Sequence, residues 1–181
     1  MPGFVSKGNL FGLQTVRKDV IINNSITVTV GDFAEGIDGN LLKLAAAGEQ
    51  LLGVVEGFVK DGVPLDKLTP GTDYDGTYTA GGVNVGKYVS TADNATDKQI
   101  KARVNITPGE IYSATPDATI GTTAGSDSLG YVTDLVDEDA PDEDTAVAAT
   151  TNTAQLAILG IDPEDSTKGL YMVKESQLFA A

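Results

Sequence analysis

The chain contains no cysteine, no histidine and no tryptophan. Without cysteine it has no disulfides, zinc-thiolate sites or thiol nucleophiles. Without histidine it lacks the side chain that titrates near neutrality, and with it Ser-His-Asp catalysis and most transition-metal sites. Acid–base chemistry would fall to carboxylates, lysine or tyrosine, so the composition favours a protein that is not an enzyme.

Positive charge is also scarce, because 12 basic residues stand against 26 acidic ones and the net charge is −14. Such a surface repels phosphate backbones and anionic lipid, so neither nucleic acid nor a membrane is an expected partner. No apolar run approaches the ~18 residues of a membrane helix, and the N-terminus shows no secretory signal pattern. P-loop and GxGxxG motifs are missing as well, and no cofactor is predicted.

The pattern of apolar residues is that of short β-strands. Residues 26–30 (ITVTV) and 100–106 (IKARVNI) alternate strictly, and short apolar runs at 154–159 and 170–173 are closed by turn residues. The segment 41–52 (LLKLAAAGEQLL) has some helical character, but its central glycine favours a turn followed by a strand. We therefore expect a mainly β protein built from small antiparallel β-barrel or β-sandwich elements.

Two stretches of the chain echo each other. Residues 47–59 (AGEQLLGVVEGFV) and 124–136 (AGSDSLGYVTDLV) share Ala, Gly, Leu, Gly and Val in register, and both end on two apolar residues. Upstream, Thr-Val-Gly-Asp-Phe at 29–33 corresponds to Thr-Pro-Gly-Glu-Ile at 107–111. The alternatives are an accident of a glycine-rich chain and a repeated β-hairpin unit.

A repeat would define the organisation of the chain. Residues 26–181 would form a β-rich body of two similar units, 26–103 and 104–181, preceded by an extended N-terminal arm, 1–25. Gly53 and Gly130 would then occupy equivalent strand positions.

Charge is distributed unevenly between the two ends. The first 18 residues carry three cations and no acid, whereas residues 104–167 carry thirteen acids and no cation. The densest acidic segment, 134–144, has seven carboxylates in eleven residues. Oxygen ligands of this kind suit calcium, but the segment lacks the D-x-D-x-D-G frame and its turn glycine. We interpret it as an exposed acidic loop and predict no metal site.

Three motifs resemble the small β proteins that decorate the heads of tailed bacteriophages. They are V-x-V-G-D-F at 28–33, D-G-N-L-L-K-L-A at 38–45 and the glycine-punctuated strand at 47–59. The resemblance implies a structural virion protein, also called a cement protein, that binds the outer surface of the major capsid shell and stabilises the expanded head. It further implies synthesis in the host cytoplasm and self-association, with a trimer favoured.

On this interpretation the basic, apolar-dotted N-terminal arm would contact the capsid. The candidate contact residues combine three cations with three apolar side chains: Phe4, Lys7, Leu10, Phe11, Arg17 and Lys18. Deletion of residues 1–18 would leave the β core folded and weaken attachment in a salt-sensitive way. The alternative function is a calcium- or carbohydrate-binding β module of a surface or adhesin protein, and an enzyme that uses carboxylates is a third.

Overall fold

The computed structural model describes residues 3–35, 41–81, 86–98, 100–117, 131–142, 147–148 and 154–174. Strands make up 51% of the structure, which confirms the mainly β fold. Helix among the described residues is limited to a 3₁₀ turn at Leu65–Lys67 and a π-helical turn at Asn94–Lys98. The strands are β1 (Val5–Asn9), β2 (Arg17–Ile22), β3 (Thr27–Thr29), β4 (Phe33–Glu35), β5 (Leu41–Leu42), β6 (Leu51–Lys60), β7 (Val63–Pro64), β8 (Thr77–Thr79), β9 (Lys87–Val89), β10 (Lys101–Asn105), β11 (Glu110–Ala114), β12 (Tyr131–Thr133), β13 (Leu135–Asp137), β14 (Ala140–Pro141), β15 (Val147–Ala148), β16 (Leu156–Ile161) and β17 (Gly169–Val173).

The strands form two large sheets and two small ones. The first large sheet has the order β1-β11-β17-β16-β12-β15 and is antiparallel throughout. The second has the order β4-β6-β10-β2-β5, with β7 paired to β6, and its β2–β5 pair is parallel. A three-stranded sheet, β3-β9-β8, and the β13–β14 hairpin complete the fold. The sheets include a nearly closed, barrel-like one.

Two apolar cores lie on either side of strand β6. Val54 belongs to the core that the first large sheet contributes to, whereas its neighbour Val55 belongs to the core that includes β2, β9 and β10. Successive side chains of a strand point to opposite faces, so β6 is buried on both. Gly53 lets β6 lie against β10, because a Cβ at this position would stand 2.0 Å from the carbonyl oxygen of Asn105.

The local strand predictions are confirmed. The alternating segments at 26–30 and 100–106 become β3 and β10, and the apolar runs near the C-terminus become β16 and β17. The segment 41–52 is not helical in the structure: it holds the short strand β5, a turn around Gly48 (φ 75°) and the start of β6.

Part of the sequence echo corresponds to a repeated turn. In the first copy Asp32 N donates to Thr29 O (3.1 Å), and in the second Glu110 N donates to Thr107 O (3.4 Å). The glycine before each acid has a positive φ, 103° and 71°, and both acids are 4% exposed at the entry to a strand. The shared Thr-x-Gly-acid pattern therefore encodes the same turn twice, since glycine adopts positive φ without steric cost.

Further along, the described parts of the two units differ. β6 runs unbroken, but its counterpart is divided at Asp134 into β12 and β13, which lie in different sheets. Gly130, whose strand position would test the repeat, lies outside the described residues. The expected unit boundary between residues 103 and 104 falls inside β10.

The N-terminal segment is built into the body. β1 pairs with β11, and β2 lies between β10 and β5 in the second large sheet. Phe4 N donates to Gly31 O and Leu10 N donates to Gly109 O, both at 2.9 Å, so the two ends of β1 are fastened to the two repeated turns. Deletion of residues 1–18 would therefore remove β1 and Phe4 from the body, and its effect on folding stays a prediction.

Candidate docking surface

The β1–β2 loop, residues 10–16, connects the first large sheet to the second and displays apolar side chains to solvent. Leu10, Phe11, Leu13 and Val16 are 55%, 64%, 51% and 48% exposed. Among the described residues, five of the nine exposed large hydrophobic side chains fall within residues 5–16. Exposed apolar residues are ordinary when they are scattered, whereas a cluster marks a contact surface.

Hydrogen bonds from Asn9 hold the backbone of this loop. Its Oδ1 accepts from the N–H groups of Phe11 (2.9 Å) and Leu13 (3.1 Å), and its carbonyl accepts from Gly12 N (3.2 Å). Its Nδ2 donates to Pro108 O at 2.6 Å, which ties the loop to the second repeated turn. An asparagine that bonds to backbone groups two and four residues on fixes a turn locally. The apolar side chains are thus displayed by a preformed loop.

The C-terminal end of the loop, at Val16, is held by a series of linked hydrogen bonds. Val16 N donates to Thr107 Oγ1 at 2.8 Å, and the Thr107 hydroxyl donates to Asn105 Oδ1 at 2.6 Å. Asn105 in turn donates from Nδ2 to Glu56 Oε1 (2.9 Å), and Arg17 Nε donates to Glu56 Oε2 (2.5 Å). Asn105 is 1% exposed, and its hydrogen bonds offset the cost of burying its amide.

Gly109 shapes the loop from below. The ring of Phe11 lies so close that a Cβ on Gly109 would stand 2.5 Å from two ring carbons. Gly109 also has φ 71°. The positive φ therefore favours glycine at this position, and the absence of a side chain leaves room for the ring of Phe11.

Two of the three N-terminal cations have acidic partners that are distant in sequence. Lys7 Nζ lies 2.5 Å from Glu164 Oε2 and 3.2 Å from Asp162 Oδ2, and hydrogen bonds to these two carboxylates raise its pKa. Arg17 pairs with Glu56. Lys18 is exposed and has no ion-pair partner among the residues that the structure describes. Lys7 and Arg17 are therefore paired in the fold, although no acidic residue lies near them within the first 18 residues of the sequence.

Phe4 has a different position from the other candidate contact residues. It is 3% exposed, and its ring meets those of Phe33 (4.4 Å between centroids), Tyr112 (6.3 Å) and Tyr171 (6.3 Å) edge to face. The side chain of Phe4 is therefore part of the core, and its contact with a capsid stays a prediction. The other five candidates are exposed, and their contact with a capsid stays a prediction: Lys7, Leu10, Phe11, Arg17 and Lys18.

The described part of the acidic segment, residues 134–142, forms the β13–β14 hairpin and its flanks. Asp134 Oδ1 accepts from Gln155 N at 3.1 Å, while Asp137, Glu138 and Asp139 form the hairpin tip. Within the described residues no group of three or more acids is arranged to hold a metal ion. The last two acids of the segment, at positions 143 and 144, lie outside those residues.

Local sequence patterns did not indicate that Asn9, Thr107 and Gly109 hold the loop in place. The signal for Asn9 is the local order Asn-Leu-Phe-Gly at 9–12, because an asparagine side chain bonds to the backbone two residues on and the glycine permits the positive φ of a turn. Thr107 and Gly109 belong to the echo at 107–111. Their contact with the loop depends on the pairing of β1 with β11, which no local pattern indicates.

Compared with protein-family models, curated proteins and solved structures, the chain shows no match. No helix in the described part of the chain is both long and apolar enough to cross a membrane.

Proposed function

We propose that the protein is a structural virion protein that binds the outer surface of a major capsid shell and stabilises the head. The observation that carries the proposal is the preformed β1–β2 loop with its outward-facing Leu10, Phe11 and Leu13. The resemblance of residues 26–60 to phage decoration proteins supports a major capsid shell as the partner.

The loop is suited to docking because its backbone is already ordered. Burying an apolar side chain completely contributes roughly 1.5–3 kcal/mol. Since about half of each of the four loop side chains is already covered, docking would gain on the order of 3–6 kcal/mol. Association itself costs about 4–15 kcal/mol, and this cost is towards the lower end when the docking loop is already ordered.

The free energy that one loop gains on docking is similar in size to the lower end of the cost of association. One loop alone gives weak binding, so firm attachment needs further contacts or several loops acting together on one particle. A self-associated form, with the trimer as the favoured state, would provide several loops at a high effective concentration. Self-association is therefore part of the proposal.

The exposed cations affect the rate of association with the shell more than the affinity. Arg17 and Lys18 follow the loop directly and are both exposed, in a chain whose net charge is −14. Arg17 already pairs with Glu56, so Lys18 is the cation that offers a complementary partner to acidic groups on a capsid surface, and exposed pairs of this kind weaken in salt. The apolar contribution of the loop persists in salt.

The proposal is tested by co-sedimentation with expanded, undecorated capsid shells of the phage that carries this chain. The loop variant Leu10→Ser/Phe11→Ser/Leu13→Ser removes the apolar surface and keeps the cations. The matched control is Val63→Ser/Val89→Ser, which replaces side chains that are 40% and 38% exposed on other strands.

We expect the wild-type chain and the control to bind with equal affinity and the loop variant to bind at least about tenfold more weakly. Equal binding by all three proteins would contradict the assigned surface. No binding by the wild-type chain would overturn the function itself, and a calcium-dependent rise in its melting temperature would then favour the alternative of a calcium-binding β module.

A further inference from the structure

Asp32 is a buried acid in the first repeated turn. It is 4% exposed, and its Oδ2 accepts a hydrogen bond from Thr29 N at 2.6 Å. Its role differs from that of its counterpart Glu110, whose carboxylate accepts from the Ser6 hydroxyl on β1. A buried carboxylate with few donors is costly when it is ionised.

The tip of the β13–β14 hairpin lies against this turn. Phe33 N donates to Glu138 O at 2.7 Å, which joins the tip to the residue directly after Asp32. The packing is tight on the other side too, because a Cβ on Gly3 would stand 2.7 Å from Gly31 O and 3.1 Å from Asp139 Cβ. Three backbone segments thus meet around the turn.

The charged groups that act on Asp32 all have the same sign. From the hairpin these are Glu138, Asp139 and Asp137, and from the turn itself Asp32 meets only the Thr29 N–H. The adjoining parts of β6 and of the N-terminus meet the turn through the backbone of Val55 and Gly3. None of the described groups that shift Asp32 is a cation.

We infer that the β13–β14 hairpin is a latch whose tip closes on the Thr29–Asp32 turn while Asp32 is protonated and loosens when Asp32 is ionised. The latch operates within one chain, whatever the protein binds. It links the proton concentration to the order of the acidic hairpin tip, a region outside the β1–β2 loop.

The titration of Asp32 supports this assignment. Burial, followed by the repulsion of the hairpin carboxylates, raises the pKa of Asp32 to about 7, while the hydrogen bond from Thr29 opposes the shift. Because the pKa is raised in the folded state, closure is favoured at acidic pH and is lost as the pH rises through about 7.

The hairpin tip is the part that moves, because the other elements are fixed. Gly31 N donates to Val55 O and Val55 N donates to Asp32 O, both at 2.9 Å, so β6 holds the turn. The base of the hairpin is anchored by Leu135, which is fully buried and donates from its N–H to Gln155 Oε1 at 2.9 Å. Loosening is therefore confined to the tip and to the Phe33–Glu138 bond.

Amide hydrogen exchange measured by NMR tests the latch on the full chain. The probes are the Phe33 N–H and the amides of residues 136–139, with the Leu135 N–H as the internal reference. Wild type is compared with Asp32→Asn, an isosteric change that removes the charge, and with Asp66→Asn, which alters an exposed acid on the 3₁₀ turn. Protection factors are taken at pH 6 and pH 8, corrected for intrinsic exchange.

In wild type and in Asp66→Asn we expect the protection of Phe33 to fall above pH 7, approaching about tenfold per pH unit, while Leu135 keeps its protection. In Asp32→Asn the fall should disappear. Protection that is independent of pH in wild type would overturn the latch, as would an equal fall in Asp32→Asn. An equal fall in the protection of Leu135 would also overturn the latch, because the whole hairpin would then open. This comparison of Phe33 with Leu135 needs only the wild-type protein, so it tests the latch even if a variant does not fold.

Discussion

Replacing Phe4 by alanine would measure how firmly the N-terminal segment belongs to the core. Phe4 is 3% exposed, and three aromatic rings pack against it with centroid distances of 4.4, 6.3 and 6.3 Å. Removal of a buried phenylalanine side chain costs about 3–5 kcal/mol, and the edge-to-face contacts place Phe4 in the upper half of that range. Domains are stable by about 5–15 kcal/mol, so the loss is a large share of the total.

Phe11 provides the matched control, because the same residue type lies seven positions later and is 64% exposed. Phe11→Ala should cost less than about 1 kcal/mol, since most of its surface stays exposed in the folded protein. Urea unfolding followed by far-ultraviolet circular dichroism gives both values. If Phe4→Ala is unfolded in the absence of urea, Phe4→Leu supplies the comparison. A cost below about 1 kcal/mol for Phe4→Ala, or equal costs for the two alanine variants, would show that the segment is not part of the core.

Three further changes test separate parts of the structure. Asp32→Asn should stabilise the fold, because the raised pKa of Asp32 makes its ionised form unfavourable in the folded state. In thermal unfolding, the free energy of unfolding of the variant relative to wild type should increase by up to roughly 3 kcal/mol from pH 5 to pH 8. A difference that decreases with pH would contradict this prediction. Gly53→Ala should cost about 3 kcal/mol or more in urea unfolding, because a Cβ there would stand 2.0 Å from Asn105 O, and a near-neutral effect would mean that β6 and β10 are not so close. Burial opposes the ionisation of Asp162, but hydrogen bonds, including one from Lys7, outweigh it and lower the pKa of Asp162. Lys7→Met should therefore move the midpoint of acid unfolding to higher pH, because the stabilising effect of the ion pair is lost as the pH falls through that pKa. An unchanged midpoint would mean that the Lys7–Asp162 ion pair does not contribute to stability.

Local patterns predicted the strands but not their partners. The alternation at 100–106 is enough to predict β10, because a strand with one buried face repeats every two residues. The Thr-x-Gly-acid echo indicated two similar turns for an equally local reason, the positive φ that glycine permits. These features need no knowledge of the rest of the chain.

The role of the N-terminus could not be obtained in this way. Phe4 stands among Gly3, Val5 and polar residues without any periodicity, so its sequence context resembles that of a free arm. Its burial follows from the pairing of β1 with β11, more than a hundred residues away for Val5 and Ser113. The same pairing gives Lys7 its acidic partners, and it brings the second repeated turn under the β1–β2 loop. The exposed loop was predicted in part, since Leu10 and Phe11 were among the candidate contacts. The hydrogen bonds from Asn9 and Thr107 that hold its backbone were not predicted.

A cryo-electron microscopy map of expanded capsid shells saturated with the protein tests the central claim most directly. We expect added density on the outer surface of the shell, into which the body fits with the β1–β2 loop against the capsid and the β13–β14 hairpin away from that contact. Density in which residues 10–16 face solvent would contradict the assigned docking surface. A shell without added density at saturating protein would contradict the proposed function.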